Sequence, residues 1–397
     1  VPPSTIYLDN NSTTPIDPRV IDAMTRAWRD FGANPASQHS LGRQARRALE
    51  NAREGILDLL GAKAGSLDSD RLIFTSGGTE ANNLAVFGLT RLARIPSDRL
   101  TASHTPPEVM ISGLEHPSIT APVAELSQRG VQVSDCYVLP SGEIDAELLL
   151  EPHQYKPTVL LSLLLANNET GVIQPVADIA AISSGHFRMH TDATQAVGKI
   201  PVHFRQLGVH AMTVAPHKFH GPLGIGALIL RYEFSVQPQL FGGFQQGGFR
   251  PGTENVALAV GFHTALKLAL DELPERATQM QSLRNQLEQL LCSEFTDMVI
   301  IGQNASRLPN TSCLSFPGLD RQALVIALDL AGVACSTGSA CASGSSEPSP
   351  TLVVMRLPSD VIQGAIRLSL SAFTTAEEVA EAARRIISTV KHLRGRK

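Results

Sequence analysis

Cysteine is scarce in this chain: Cys136, Cys292, Cys313, Cys335 and Cys341 are the five among 397 residues, and no two form a CxxC pair. That pattern excludes a disulfide-stapled scaffold and a zinc ribbon, and leaves any special cysteine to act as a reactive thiol. Aromatic side chains make up only 5% of the chain, with a single tryptophan, and neither sign of charge dominates: 33 basic residues against 37 acidic ones give a net charge of −4. Without a basic surplus nothing draws a nucleic acid, so the expected partner is a small molecule. Apolar runs never reach the roughly 18 residues that span a bilayer, and residues 1–9 lack the charged-then-apolar order of a signal peptide. The expectation is a soluble cytoplasmic protein without membrane contact. The 12 histidines raise the question of a metal. His186 and His190 fall at a strand entry, and His217 and His220 flank a lysine, so no metal is expected.

What is present is ample apolar material, 43% of the residues. At about 150 residues per domain the length corresponds to two or three units. Residues 41–61 place Leu41, Ala45, Ala48, Leu49, Ala52, Ile56, Leu59 and Leu60 at three- and four-residue spacings, an amphipathic helix stopped by Gly61. Short apolar runs follow at 71–76, 109–112, 131–139, 159–166, 212–215 and 226–230, several of them uniformly apolar, as strands covered on both faces must be. The pattern predicts an α/β fold with a largely parallel sheet. Composition changes after the glycine-rich stretch 242–252, and helices are expected at 256–273 and 283–291. A smaller α/β layer follows: strands at 312–316 and 365–370, and helices at 322–330 and 376–393, the last opened by Thr375 and Glu378 in capping-box spacing. The expected division is a large domain over 17–262 and a smaller one from 1–16 with 263–397. Residues 95–108, rich in Pro, Ser and Thr, read as an exposed excursion.

Three features carry chemistry. The strand at 71–76 runs through Gly77, Gly78, Thr79 and Glu80 into a helical stretch, so free N–H groups and the Thr79 hydroxyl meet at a helix start, an anion site suited to phosphate. Asp192 closes one short strand and Lys218 closes another. Taken singly, Asp192 reads as a helix cap and Lys218 as a surface lysine. Taken with the anion site, they supply what pyridoxal phosphate needs: an amine to bond it, an acid to keep its pyridine nitrogen protonated, and a cradle for its phosphate. Cys341 lies in a run of small residues, with no aromatic or branched aliphatic side chain from 336 to 349, a segment unable to anchor itself in a core. A mobile thiol of this kind suits a nucleophile that attacks at one place and delivers at another.

Residues 7–15 (YLDNNSTTP), 75–83 (TSGGTEANN), 167–171 (NNETG), 192–195 (DATQ) and the pair His217 and Lys218 resemble the cysteine desulfurases of the NifS and IscS type. The resemblance covers nearly the whole chain. It implies a pyridoxal phosphate enzyme of fold type I, the aspartate-aminotransferase-like fold, that takes sulfur from L-cysteine, leaves L-alanine and holds the sulfur as a persulfide. By the same resemblance Lys218 bonds the cofactor and shuttles the Cα proton, and Asp192 holds the ring nitrogen. His116 stacks on the ring and assists proton transfer, while Asn168 and Gln195 lie near the ring hydroxyl. Gly78, Thr79 and His217 contact the phosphate, and Thr253, in the RPGTEN stretch 250–255, reaches the phosphate of the neighbouring subunit of a homodimer. Arg367 grips the substrate carboxylate in a two-bond fork that lysine cannot copy, and Asn34 lies near the substrate. Cys341 matches the catalytic cysteine; Cys335 does not. The sulfur is then delivered to an acceptor such as an iron-sulfur scaffold protein.

The chain departs from the family at Ala215, where a serine hydroxyl usually binds the phosphate, and in the length of the 95–108 excursion. Other readings of the same residues are a selenocysteine lyase, another pyridoxal phosphate lyase or aminotransferase, and a non-catalytic sulfur-relay scaffold.

Overall fold

The computed structural model describes residues 5–90, 107–150, 158–183, 187–338 and 347–395. Cys341 and nearly all of the 95–108 excursion lie outside the described residues.

A seven-stranded sheet organises most of the chain, in the spatial order Arg71–Thr75, Gly226–Leu230, Ala211–Val214, Arg188–Asp192, Thr158–Leu164, Glu108–Ser112, Gln132–Cys136. Gly226–Leu230 runs against both of its neighbours, and every other pairing is parallel. Side chains of a strand alternate between faces. Accordingly Leu72 and Phe74 enter one buried cluster and Ile73 another, and the same division parts Leu161 and Leu163 from Leu160, and Met212 and Val214 from Ala211. Helices cover both faces, which is why the inner strands Gly226–Leu230, Ala211–Val214 and Thr158–Leu164 are largely apolar, while the edge strand Gln132–Cys136 is mostly polar. On one side pack Pro18–Asp30, Ser40–Leu59 and Val256–Asp271, supplying Val20, Met24, Leu49, Ile56 and Phe262; on the other, Gly78–Thr90 and Pro117–Gln128 supply Leu84, Leu89, Ile119 and Val123. Each such aliphatic or aromatic side chain contributes about 1.5 to 3 kcal/mol on burial.

A third cluster lies around a three-stranded antiparallel sheet of Ala365–Ser369, Thr311–Ser315 and Val299–Ile301. Leu287 and Leu291 from Leu273–Glu294, Leu324 and Leu328 from Arg321–Leu330, and Ile386 from Ala376–Arg394 close over Leu314, Ile366 and Leu368. Ile6 and Leu8 join this cluster, and Ile6–Tyr7 pairs in parallel with Val333–Ala334. The Thr375–Glu378 capping box is formed in both directions.

Two expectations need correction. The helix placed at 283–291 runs over Leu273–Glu294, with Pro274 in its first turn, where a missing N–H costs nothing. Its polar first half is held by the Arg276–Glu272 ion pair, and Arg284 Nη1 donates to Leu308 O at 2.7 Å. The strand placed at 131–139 is confined to Gln132–Cys136, followed by a separate bridge from Val138 to Ile144.

Candidate active site

Ligands of parallel α/β sheets bind beyond the carboxyl ends of the strands. Here those ends deliver Gly78 and Thr79 after Arg71–Thr75, His116 after Glu108–Ser112, Asn168 after Thr158–Leu164, Asp192 and Gln195 at and after Arg188–Asp192, and His217 and Lys218 after Ala211–Val214. All eight line one cavity of about 200 Å³. Lys218 ends a one-turn helix, Pro216–Lys218, rather than the strand itself.

Asp192 anchors a chain of side chains along one wall. Its Oδ1 accepts from Thr194 N at 2.9 Å and its Oδ2 from Asn82 Nδ2 at 2.7 Å. The other Asn82 amide proton goes to Ser118 Oγ at 2.8 Å, and Ser118 Oγ pairs with His116 Nδ1 at 2.8 Å. Ser118 N also donates to His116 Nδ1, which assigns the imidazole proton to Nε2. Burial holds His116 below its usual range, Lys218 adding to the effect and Asp192 opposing it, so the ring is neutral at pH 7. His217 is pushed down to about 4 by burial, with Lys218 and Lys199 acting the same way.

The segment following Ile6–Tyr7 ties two cations together. Lys218 Nζ donates to the main-chain oxygens of Asn11 at 2.6 Å and Ser12 at 2.7 Å. Arg367 Nη2 donates to Ser12 Oγ at 2.9 Å and to Asp9 Oδ1 at 2.6 Å, while Nη1 donates to the oxygens of Asn168 and Gly338. Arg367 is 1% exposed and is absent from the cavity wall. Thr253 and Asn34 stand away from the cavity as well, both exposed, and Asn34 Oδ1 accepts from Ala36 N in a local turn. An ion pair from Arg250 to Glu80 at 2.7 Å holds the start of the 250–255 stretch against the first turn of Gly78–Thr90.

Asn82, Ser118 and Thr194 line the cavity and were not singled out from the sequence. Asn82 had a usable signal: it follows Thr79 by three positions, so both share one helix face. Two buried oxygens of cavity residues, Asn82 Oδ1 and Thr194 Oγ1, have no hydrogen-bond partner among the described residues. Such atoms call for a polar occupant. The donor set suits pyridoxal phosphate: an amine at Lys218, a carboxylate at Asp192, and N–H groups at the start of Gly78–Thr90 for a phosphate.

A largely parallel sheet with a smaller antiparallel layer, and a lysine just past a strand end facing an aspartate, define the fold-type-I class of pyridoxal phosphate enzymes. A family model described as aminotransferase class-V matches residues 6–381. A cysteine desulfurase of Cereibacter sphaeroides is 41% identical over 94% of this chain and 92% of its own length. Among solved structures, a NifS-like protein superposes with a TM-score of 0.87 at 32% identity, covering 98% of this chain and 100% of that one. A structure described as SspA in complex with cysteine gives 0.77 at 28% identity, over 94% of this chain and 100% of that one. The chain belongs to the aminotransferase class-V family and, within it, to the cysteine desulfurases.

Proposed function

We propose that this protein is a pyridoxal phosphate-dependent cysteine desulfurase: L-cysteine and an enzyme thiol become L-alanine and an enzyme persulfide, and the sulfur passes to an acceptor protein such as an iron-sulfur scaffold. The observation that carries this reading is the meeting of Lys218, Asp192 and His116 at the cavity beside the Gly78–Thr90 helix start. The family match and a relative bound to cysteine support the choice of substrate.

When bound, the cofactor supplies an electron sink for the carbanion at the substrate Cα. Gly78, Thr79 and His217 would hold its phosphate, and Thr253 would reach the phosphate of the neighbouring subunit in a cytoplasmic homodimer. Asp192 would keep its ring nitrogen protonated, Asn168 and Gln195 would bind its ring hydroxyl, and His116 would hold its ring. Lys218, whose amine now donates to the oxygens of Asn11 and Ser12, would be the residue that holds the cofactor covalently, and it would remove and return the substrate Cα proton. Arg367 takes the substrate carboxylate, near Asn34, by giving up Asp9. The Cys341 thiolate then attacks the substrate sulfur: the C–S bond breaks, an S–S bond forms, and Cβ takes a proton. In this reading residues 17–262 hold the cofactor, and a smaller domain of 1–16 and 263–397 carries Cys341.

The test is alanine release from L-cysteine by protein reconstituted with pyridoxal phosphate. Lys218→Ala is expected to abolish release, and Cys341→Ser to retain the cofactor while forming no persulfide. Alanine release unchanged in Lys218→Ala contradicts the assignment. Reconstituted protein that releases alanine only from selenocysteine makes the chain a selenocysteine lyase.

A further inference from the structure

Lys199 is a buried amine to which the reaction above gives no task. It is 4% exposed, and Gly198 before it takes φ +76°. A Cβ at Gly198 would stand 2.7 Å from the Cβ of Phe219, so the absence of a side chain there lets the turn carrying Lys199 pack directly under the turn carrying Lys218. Lys199 Nζ donates to Gln195 Oε1 at 2.7 Å and to Asn11 Oδ1 at 3.3 Å. Asn11 Oδ1 has a second donor, Asn310 Nδ2 at 3.0 Å. Gln195 Oε1 has no donor besides Lys199 among the described residues, so this is the bond that nothing else replaces.

An amide can sit either way round, and its neighbours decide which end faces the site. Lys199 offers protons, so the oxygen of Gln195 turns toward it. The nitrogen then faces Asn11 O, to which Nε2 donates at 2.9 Å, leaving one further N–H on a residue of the cavity wall. We infer that Lys199 is a positioning residue: it fixes Gln195 so that the site presents an N–H, and not a carbonyl oxygen, to an anionic oxygen of the bound cofactor. The inference rests on the cofactor reading above. Burial, reinforced by Lys218 and Arg367, drives the Lys199 amine well below its usual range. Whatever its charge, the amine has a proton for each of the two amide oxygens it meets.

The test compares Lys199→Met, Gln195→Met and the double variant for pyridoxal phosphate affinity, by titration of cofactor-free protein, and for the absorption maximum of the bound cofactor. Loss of one hydrogen bond to a charged group corresponds to about 10- to 150-fold weaker binding. Lys199→Met is expected to lose affinity in that range and to move the absorption maximum. The double variant is expected to bind no more weakly than Gln195→Met alone, since Lys199 acts through that residue. Additive losses, or wild-type affinity and absorption in a folded Lys199→Met protein, overturn the inference. Should Lys199→Met not fold, Gln195→Glu decides: it keeps an oxygen for Lys199 but replaces the N–H by a second oxygen, so affinity is expected to fall at least as far, and wild-type affinity in that variant overturns the inference. Wild-type protein that takes up no pyridoxal phosphate removes the cofactor reading and this inference together. Wild-type protein that binds it while Lys199→Met is indistinguishable removes this inference alone.

Discussion

Restoring a hydroxyl at position 215 separates cofactor affinity from stability. Ala215 is fully buried and lines the cavity, and a Cβ on Gly78 would stand 3.5 Å from the Ala215 methyl. The methyl therefore faces the first residue of Gly78–Thr90, the helix start whose N–H groups are proposed to hold the phosphate. A serine oxygen there enters a polar cavity of about 200 Å³, roomy enough for water to satisfy it, so Ala215→Ser should change cofactor-free stability by no more than about 1 kcal/mol. With the cofactor bound, the hydroxyl adds a hydrogen bond to a charged group, worth about 1.5 to 3 kcal/mol, or a factor of about 10 to 150 in affinity. By linkage, the rise in melting temperature on adding saturating cofactor should be larger in Ala215→Ser than in wild type. The assays are pyridoxal phosphate titration and thermal melting with and without cofactor. A folded variant with unchanged or weaker affinity refutes the placement of position 215 beside the phosphate.

Other expectations address the wall, the buried acid and the second cysteine. Asp192→Asn keeps a carbonyl oxygen for Thr194 N but loses the charge, so cofactor content should survive while alanine release falls at least about 100-fold; a normal rate contradicts the role of Asp192. Glu115 is pushed up to about 8 by burial, with the Asp192 charge adding to the effect, and its Oε1 accepts from Ser112 Oγ and Leu164 N. Between its ordinary 4.5 and about 8 the folded state keeps a proton that the unfolded chain has lost, so stability falls as pH rises through that window and levels off above it. Glu115→Gln removes this dependence and should gain on wild type by an amount on the order of a few kcal/mol between pH 5 and 8.5, measured by melting; a constant difference contradicts it. Burial pushes the Cys335 thiol to about 12, leaving it protonated at pH 8, so Cys335→Ser should release alanine within about twofold of wild type; complete loss would make Cys335 a nucleophile.

Much of the site was legible because backbone geometry and side-chain chemistry coincide in short stretches. Gly78 and Thr79 stand where a strand becomes a helix, and His116 and Lys218 stand just past the ends of short apolar runs, while Asp192 closes the polar strand Arg188–Asp192 and is marked by its chemistry instead. Asn82, Ser118 and Thr194 escaped notice because a polar residue on a helix face or in a turn reads the same whether it meets water or a cavity wall. Lys199 was hidden for the same reason: only its contacts with Gln195 and Asn11 separate it from a solvated lysine. Helix Leu273–Glu294 extends well before the apolar spacing at 283–291 because proline is tolerated in a first turn and its polar early turns carry no apolar periodicity. Helix Pro18–Asp30 went unread despite a clear start, Asp17 capping Arg19 N at 2.8 Å with Pro18 in the first turn. Arg367 shows the limit of motif matching: the sequence marks it for a carboxylate, and the fold has already given it one, from Asp9.

The central claim, that the Cys341 thiol takes sulfur from L-cysteine, is tested most directly by peptide-level mass measurement after brief exposure to L-cysteine, with alanine counted in the same sample. One added sulfur on the Cys341 peptide, matched one for one by alanine, is the predicted result. Alanine formed with no added sulfur on Cys341, or with the sulfur on Cys335 instead, would contradict it.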